Sequence, residues 1–403
     1  MTAVSDDGTS SPAGQHTVRR HNLSLVLQSV LAAGRSTRVQ VAHSTGLARA
    51  TVSVLADQLL EAGLLDELDP DRTSPGRPAS PLRLNPSGPG GLGVEVNVDY
   101  VAACAVGLDG QVRAQYVEPF DSAAMSPRVT LRRAARLAVR TCREAGIPIA
   151  GAGLALPGLV DVDGVMRRAP NLPRWNGFAA AEVLGLDLAS SGLEMVVRAA
   201  NEANLAAIAQ VWYGSEGLRD FVHVSGDVGV GGGIVVGGQL YSGLRGYAGE
   251  LGHVVIDPSG PLCGCGGSGC LEQLAGLGAL LRDTGAAGLD DLVERARSHD
   301  RQVLAVLDAG GRALGIALAA AVNLFDLPDV VLGGVYAVLA PWLTDSLTGE
   351  LRRRVVSREL ARVRVHVSSL GPYAAVRGAA GSVVARVLSV PDSLVRVRAA
   401  IAR

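Results

Sequence analysis

Beyond residue 91 the chain alternates two textures. Short apolar runs lead into glycine: VAACAVGL from Val101, GAGLALPGLV from Gly151, FVHVSG from Phe221, GGIVVGG from Gly232 and DVVLGGV from Asp329. Longer segments rich in Ala, Leu and Arg separate them. Runs of this length read as buried strands, and their alternation with helical segments predicts an α/β core. A chain of 403 residues exceeds one ordinary domain, so two or three are expected.

Ahead of that core the composition differs. Residues 1–15, MTAVSDDGTSSPAGQ, are polar and acidic and read as disordered. They lack the basic start and apolar centre of a secretory signal. From Gly8 to Ala56 there is no Asp or Glu, whereas Arg19, Arg20, Arg35, Arg38 and Arg49 fall there. The net charge of −1 excludes a uniformly basic nucleic-acid coat, so any basic face is local. The chain has no lysine, and all 37 basic residues are arginine, a mark of GC-rich coding rather than of chemistry.

Residues 16–85 are expected to form helix, helix, helix and hairpin. The first helix runs through NLSLVLQSVLAAG, and Ser36 or Thr37 caps the second, TRVQVAHSTG. The third, ARATVSVLADQLLEAG, turns Leu47, Val52, Leu55 and Leu59 inward. LLDEL and PLRL then pair as strands. This order predicts a winged helix-turn-helix whose third helix enters the major groove. The competing reading is a three-helix bundle with a solvated arginine face. The candidate DNA contacts are Arg38, Arg49, Thr51, Ser53 and Arg77. Arg49 suits either guanine or phosphate. Arg77, in the hairpin tip SPGRPAS, suits either a narrow minor groove or a plain exposed turn. Residues 86–91 form a Pro/Gly linker.

Five cysteines are present, and Cys263, Cys265 and Cys270 fall within eight positions, ten residues after His253. The longest apolar run, ALGIALAAAVNLF from Ala313, is too short to span a bilayer. A cytoplasmic location without membrane contact is therefore expected, and disulfides are disfavoured there. One imidazole and three thiolates make a closed tetrahedral set for a structural Zn²⁺. Glycines at 264, 266, 267 and 269 let the backbone fold tightly around it. The bland alternative is three free thiols in a glycine-rich loop. Cys104 and Cys142 lie in strand-like and helix-like runs and are expected to be buried.

The stretch GELGH, nine residues, then CGCGGSGCLE resembles the signature of the ROK family of repressors, open reading frames and kinases. GLALPGLVDVDGVMRRAPNLPRWNG from Gly153, NEAN from Asn201, GVGGGIVVGGQLYSG and VLGGV also fit, and the resemblance spans residues 17–385. NEANLAA is similar to the xylose-repressor-like regulator branch. The resemblance implies an actin-like two-lobed core behind the winged helix-turn-helix. Residues 92–200 would form the first lobe, completed by a C-terminal helix at about 380–403. Residues 201–379 would form the second lobe, with the zinc loop and sugar site.

By the same resemblance Asn201, Glu202, Glu250, His253 and Glu272 contact a sugar, with Gly158 and Asn171 lining the cleft. Carboxylates and an amide suit a polyol, and such sites discriminate strongly when every group is paired. His253 would place one ring nitrogen on zinc and the other on the sugar. Asn201 and Glu202 also fit a helix cap and a dipole partner. The family's kinases carry Asp where Glu202 stands. Their phosphate turns correspond to Glu95–Asp99 and Asp227–Gly231, where Asp99 and Asp227 would repel a triphosphate. No Gly-Lys-Ser/Thr loop replaces them.

These readings converge on a sugar-responsive repressor without kinase activity. It is expected to be a homodimer or tetramer on an inverted-repeat operator, answering to a sugar or sugar phosphate. A kinase with an appended DNA domain and a sugar-insensitive dimeric DNA-binding protein are the alternatives. Arg167, Arg168 and Arg174 would either meet an anion or line an exposed loop.

Overall fold

A computed structural model describes residues 15–70, 80–226 and 229–391. The chain divides into two compact units, one from Met1–Pro89 with Val384–Arg403 and one from Gly90–Val383.

The first unit contains α1 (Gln15–Ala33), β1 (Ser36–Thr37), α2 (Arg38–Thr45), α3 (Arg49–Glu61), β2 (Leu65–Glu67) and β3 (Pro81–Leu84). Thr37 starts α2 through a capping box: its hydroxyl accepts from the Gln40 amide, and the Gln40 side chain accepts from the Thr37 amide at 2.8 Å. The helices close over Leu23, Leu27, Val30, Val41, Val52, Leu55 and Leu59, all buried, with Leu65, Leu82 and Leu84 from the strands. Leu47, expected inside, is half-buried. The sheet is antiparallel in the order β1-β3-β2. Its two-residue β1 was not anticipated; it pairs Ser36 with Leu82 and Thr37 with Pro81.

In the second unit, β4 (Gly90–Val96), β5 (Tyr100–Val106), β6 (Val112–Pro119), α4 (Pro127–Ala145) and β7 (Ile149–Leu156) come first. A small hairpin, β8 (Leu159–Val160) and β9 (Met166–Arg168), follows, then α5 (Ala180–Ser190) and β10 (Val197–Asn201). The sheet runs β10-β7-β4-β5-β6, parallel at β4, β7 and β10 and antiparallel from β4 to β6. Leu131 and Leu137 of α4 and Leu184 of α5 cover one face, packing on Leu92, Val94 and Leu154.

The second sheet comes from α6 (Glu202–Tyr213), β11 (Phe221–Gly226), β12 (Val230–Val236), β13 (Gln239–Leu240), α7 (Leu271–Ala275), α8 (Leu277–Thr284), α9 (Leu289–Arg297), α10 (Arg301–Phe325), β14 (Asp329–Gly334), α11 (Val335–Arg354), β15 (Arg364–Val367) and α12 (Ala374–Ser389). Its order is β13-β12-β11-β14-β15. Leu314 and Leu318 of α10 and Tyr336 and Leu339 of α11 pack on Val222, Val224 and Leu332. Ala207 of α6 packs on the opposite face with Phe221, Val235 and Val331.

Between the sheets lie α6 and α12, joined through Leu205, Ala209, Ala375 and Ala379. A Cβ at Gly93 would run into the carbonyl oxygen of Val376, and one at Gly378 into that of Leu205. Glycine at these two positions lets α12 settle on β4 and cross α6 closely. The expected bilayer-short run at Ala313 sits inside the 25-residue α10, which is long and apolar enough to cross a membrane. Its Val303, Leu307, Leu314 and Leu318 are fully buried in this core, which accounts for that hydropathy.

Candidate ligand cleft and metal centre

The first wall of the cleft starts where β10 meets α6. Asn201 caps α6, its Oδ1 accepting from the amides of Ala203 at 2.9 Å and Asn204 at 3.2 Å. Its Nδ2 donates to the Gly158 carbonyl at 3.1 Å. The capping role therefore uses only the oxygen, and the amide end stays at the cleft beside Glu202. Glu202 opens the helix, where negative charge complements the dipole.

The opposite wall follows the second sheet. Glu250 precedes a single 3-10 turn, Leu251–His253. Glu272 stands in the first turn of α7 and accepts from the Val230 amide at 3.1 Å. A side chain at Gly229 would collide with that carboxylate, so glycine there keeps the approach open. One cleft is lined by Asn97, Gly158, Asn171, Asn201, Glu202, Ser225, Glu250, His253 and Glu272. All five sugar contacts expected from the sequence thus line one cavity, together with Gly158 and Asn171. Ser225 was missed; its position near the C-terminal end of β11, where α/β clefts form, was the available signal. Desolvation raises the Glu250 carboxyl above its ordinary value, with His253 opposing the shift and Glu272 reinforcing it.

His253 joins this cleft to a second cluster. Its Nε2 lies 3.9 Å from Glu250 Oε2, while its Nδ1 lies 3.7 Å from Cys263 Sγ. The ligand atoms of His253, Cys263, Cys265 and Cys270 all fall within 4.8 Å of one another. Cys265 and Cys270 Sγ are 3.6 Å apart. Zn–S bonds of about 2.3 Å at tetrahedral angles put sulfurs roughly 3.8 Å apart, so the donor set fits a tetrahedral ion. The Gly267 amide lowers the Cys265 thiol, while burial pushes Cys270 up to about 12. A bound cation would offset that burial cost by taking the thiolate.

The turn between β4 and β5 departs from expectation. Asn97 is buried, and its Oδ1 accepts from the Val98 amide at 2.6 Å. The Asn97 amide in turn donates to the Tyr100 carbonyl at 2.9 Å. Asn97 and Val98 line the cleft, whereas Asp99 is exposed at the turn's tip. Asp99 thus stands outside this cleft lining, and the turn's Val98 amide is engaged by the Asn97 side chain. Asp227 lies outside the described residues.

Arg49 is exposed at the start of α3 and makes no hydrogen bond or ion pair among the described residues, while Thr51 and Ser53 are half-buried beyond it. Arg38 is engaged: its guanidinium bridges Asp57 at 2.9 Å and Glu67, tying α2 to α3 and β2. Arg77 lies outside the described residues.

Two five-stranded sheets facing each other across paired helices, with a polar cleft at their junction, define an actin-like two-lobed core of the sugar-kinase kind. The chain belongs to the ROK family, whose profile matches residues 91–385. It is 28% identical to the xylose repressor of Bacillus subtilis strain 168 over 383 residues, covering 92% of this chain and 97% of that one. The crystal structure of a ROK family transcriptional regulator, a homologue of the E. coli MLC protein, shares the fold with a TM-score of 0.78 at 24% identity, over 94% of this chain and 98% of that one. A ROK family glucokinase from Streptomyces griseus, solved with glucose and AMPPNP, gives 0.62 at 27% identity, over 72% of this chain and 98% of that one.

Proposed function

We propose that this chain is a sugar-responsive DNA-binding repressor of carbohydrate-utilisation genes and not a kinase. The observation that carries the reading is the convergence of Asn201, Glu202, Glu250, His253 and Glu272 on one cleft in a chain that also matches a xylose repressor almost end to end. The three helices and antiparallel sheet of the first unit support a winged helix-turn-helix spanning residues 16–85, with α3 as the reading helix. Residues 92–200 and 201–379 would then serve as the two lobes. His253, Cys263, Cys265 and Cys270 would hold a structural Zn²⁺, whose charge would stabilise the thiolates and fix which imidazole nitrogen faces the ligand.

The protein would act in the cytoplasm as a homodimer or tetramer, because a single reading helix places few side chains on base edges and two half-sites are needed for useful specificity. Sugar lowers operator affinity only if it binds one arrangement of the core better than another. Coupling of roughly 1–3 kcal/mol is expected, a several-fold to hundredfold loss of operator affinity. The kinase reading draws on the glycine-rich β12 and the glucokinase likeness, and the bonded amide of Val98 weighs against it.

The test is operator titration of the zinc-loaded protein with and without a sugar that binds it. Release supports induction. An unchanged operator constant at demonstrated sugar occupancy overturns it in favour of a sugar-insensitive DNA-binding protein. Equal affinity for operator and random DNA at physiological salt removes sequence-specific regulation altogether.

A further inference from the structure

Three carboxylates line the cleft, Glu202, Glu250 and Glu272, and no arginine stands among the described lining residues. The chain has no lysine to supply the missing charge. The one imidazole, His253, turns Nδ1 toward Cys263 at 3.7 Å and leaves only Nε2 for a ligand. The three arginines of the neighbouring segment are all engaged elsewhere. Arg167 pairs with Asp161, Arg168 donates to the carbonyls of Gly264 and Cys265, and Arg174 donates to the carbonyl of Ala124. Two backbone donors of the cleft are engaged too: the Val98 amide is held by Asn97 Oδ1 at 2.6 Å and the Val230 amide by Glu272 at 3.1 Å.

From this charge pattern we infer that the cleft takes an uncharged sugar and excludes sugar phosphates. The inference rests on the sugar reading proposed above and narrows it. Sugar hydroxyls can donate to the six carboxylate oxygens of the three glutamates and accept from Nδ2 of Asn201. A phosphate monoester carries between one and two negative charges at pH 7 and needs donors or cations around it. Here it would meet carboxylates on both walls, with no arginine among the described lining residues to offset them. Repulsion from three partly desolvated charges is enough for a discrimination of about 100-fold or more.

The experiment is calorimetric titration of the full zinc-loaded chain at low and high salt. The probes are D-xylose, D-glucose and N-acetylglucosamine, against glucose 6-phosphate and N-acetylglucosamine 6-phosphate. The expected result is binding of a free hexose with its phosphate at least about 100-fold weaker, the gap narrowing as salt screens the repulsion. Glucose or N-acetylglucosamine binding supplies that direct pair, and if xylose alone binds, xylose 5-phosphate is the matching probe. Glu202→Gln should weaken the free sugar and narrow the same gap. A phosphate within tenfold of its free sugar, or bound in its place, overturns the inference while leaving the sugar reading intact. Failure of every probe to bind sinks the sugar reading, and this inference with it.

Discussion

Arg168, on β9, donates to the carbonyl oxygen of Cys265 at 2.9 Å and to that of Gly264 at 3.3 Å. The hairpin carrying Arg168 packs with the first sheet through Met166 and Ala169. The loop carrying Cys265 is anchored to the second through Val254, Ile256 and Leu271. One guanidinium thus links the two lobes of the core beside the His/Cys cluster.

Arg168→Ala should therefore keep a full complement of zinc but weaken sugar binding several-fold, about 1 kcal/mol for a lost charge-assisted contact on an exposed side chain. Metal analysis and calorimetry on the same sample check both halves. Full zinc with unchanged sugar affinity would make the contact incidental.

Cys270→Ser should lose the zinc as well. Cys270 is 1% exposed, and its sulfur sits 3.6 Å from that of Cys265. A hydroxyl there removes a thiolate ligand, so bound zinc should fall far below one per chain. His253 then loses its anchor, and sugar affinity should drop at least about 10–100-fold. Helical content should stay nearly unchanged, because the ligand loop adds only short turns. Wild-type protein purified without chelator that carries well under one zinc per chain would refute the metal assignment.

No ATP-dependent phosphorylation of xylose, glucose or N-acetylglucosamine is expected. The Val98 amide is bonded by Asn97, and Glu202 places its carboxylate one methylene beyond an aspartate, a displacement worth about 10²-fold in rate. A coupled ADP assay is the measurement. Turnover that disappears in Glu202→Ala would restore the kinase.

His223, on β11, is 1% exposed, and neither ring nitrogen has a hydrogen-bond partner among the described residues. Burial lowers its pKa from 6.5 to about 4. Below pH 6.5 the unfolded chain takes up a proton that the folded protein refuses. Stability should therefore fall by about 1.4 kcal/mol per pH unit across the interior of that window and level off near pH 4. His223→Leu removes both desolvated nitrogens. Urea titrations at pH 7 and pH 5 should show stability at neutral pH equal to or above wild type, and a smaller loss on acidification. An unchanged loss would assign the acid sensitivity to other groups.

The clustering of His253, Cys263, Cys265 and Cys270 was legible because all four lie within eighteen residues, where spacing alone restricts geometry. The α/β alternation was legible because each strand is an apolar run bounded by turn residues. Long-range pairing was not. Arg38 read as a candidate DNA contact in an acid-free stretch, yet Asp57 and Glu67 reach it from 19 and 29 residues away. Arg168 meets Cys265 across 97 residues. Asp99 was expected to face the cleft from its place in a motif. The exposed tip of the β4–β5 turn decides otherwise, a matter of backbone hydrogen bonding that residue type does not encode.

Arg49 offers the sharpest test of the DNA reading. It stands in the first turn of α3, exposed and unpaired among the described residues, while Val52, Leu55 and Leu59 pin the far side of the helix in the core. Arg49→Ala should leave folding intact, since the side chain is exposed. If Arg49 reads guanine, operator affinity should fall by about 1–3 kcal/mol and preference at one base pair of each half-site should relax. If it meets phosphate, binding should weaken uniformly across sequences and the salt slope should drop by about one unit per subunit. Operator titrations across a salt series, with wild-type and single-base-changed half-sites, separate the two outcomes. Arg38→Ala provides the contrast: its guanidinium already serves Asp57 and Glu67, so its removal should lower thermal stability more than it alters base preference. Unchanged operator affinity in Arg49→Ala at every salt concentration would remove α3's first turn from the DNA interface and reopen the assignment of the reading helix.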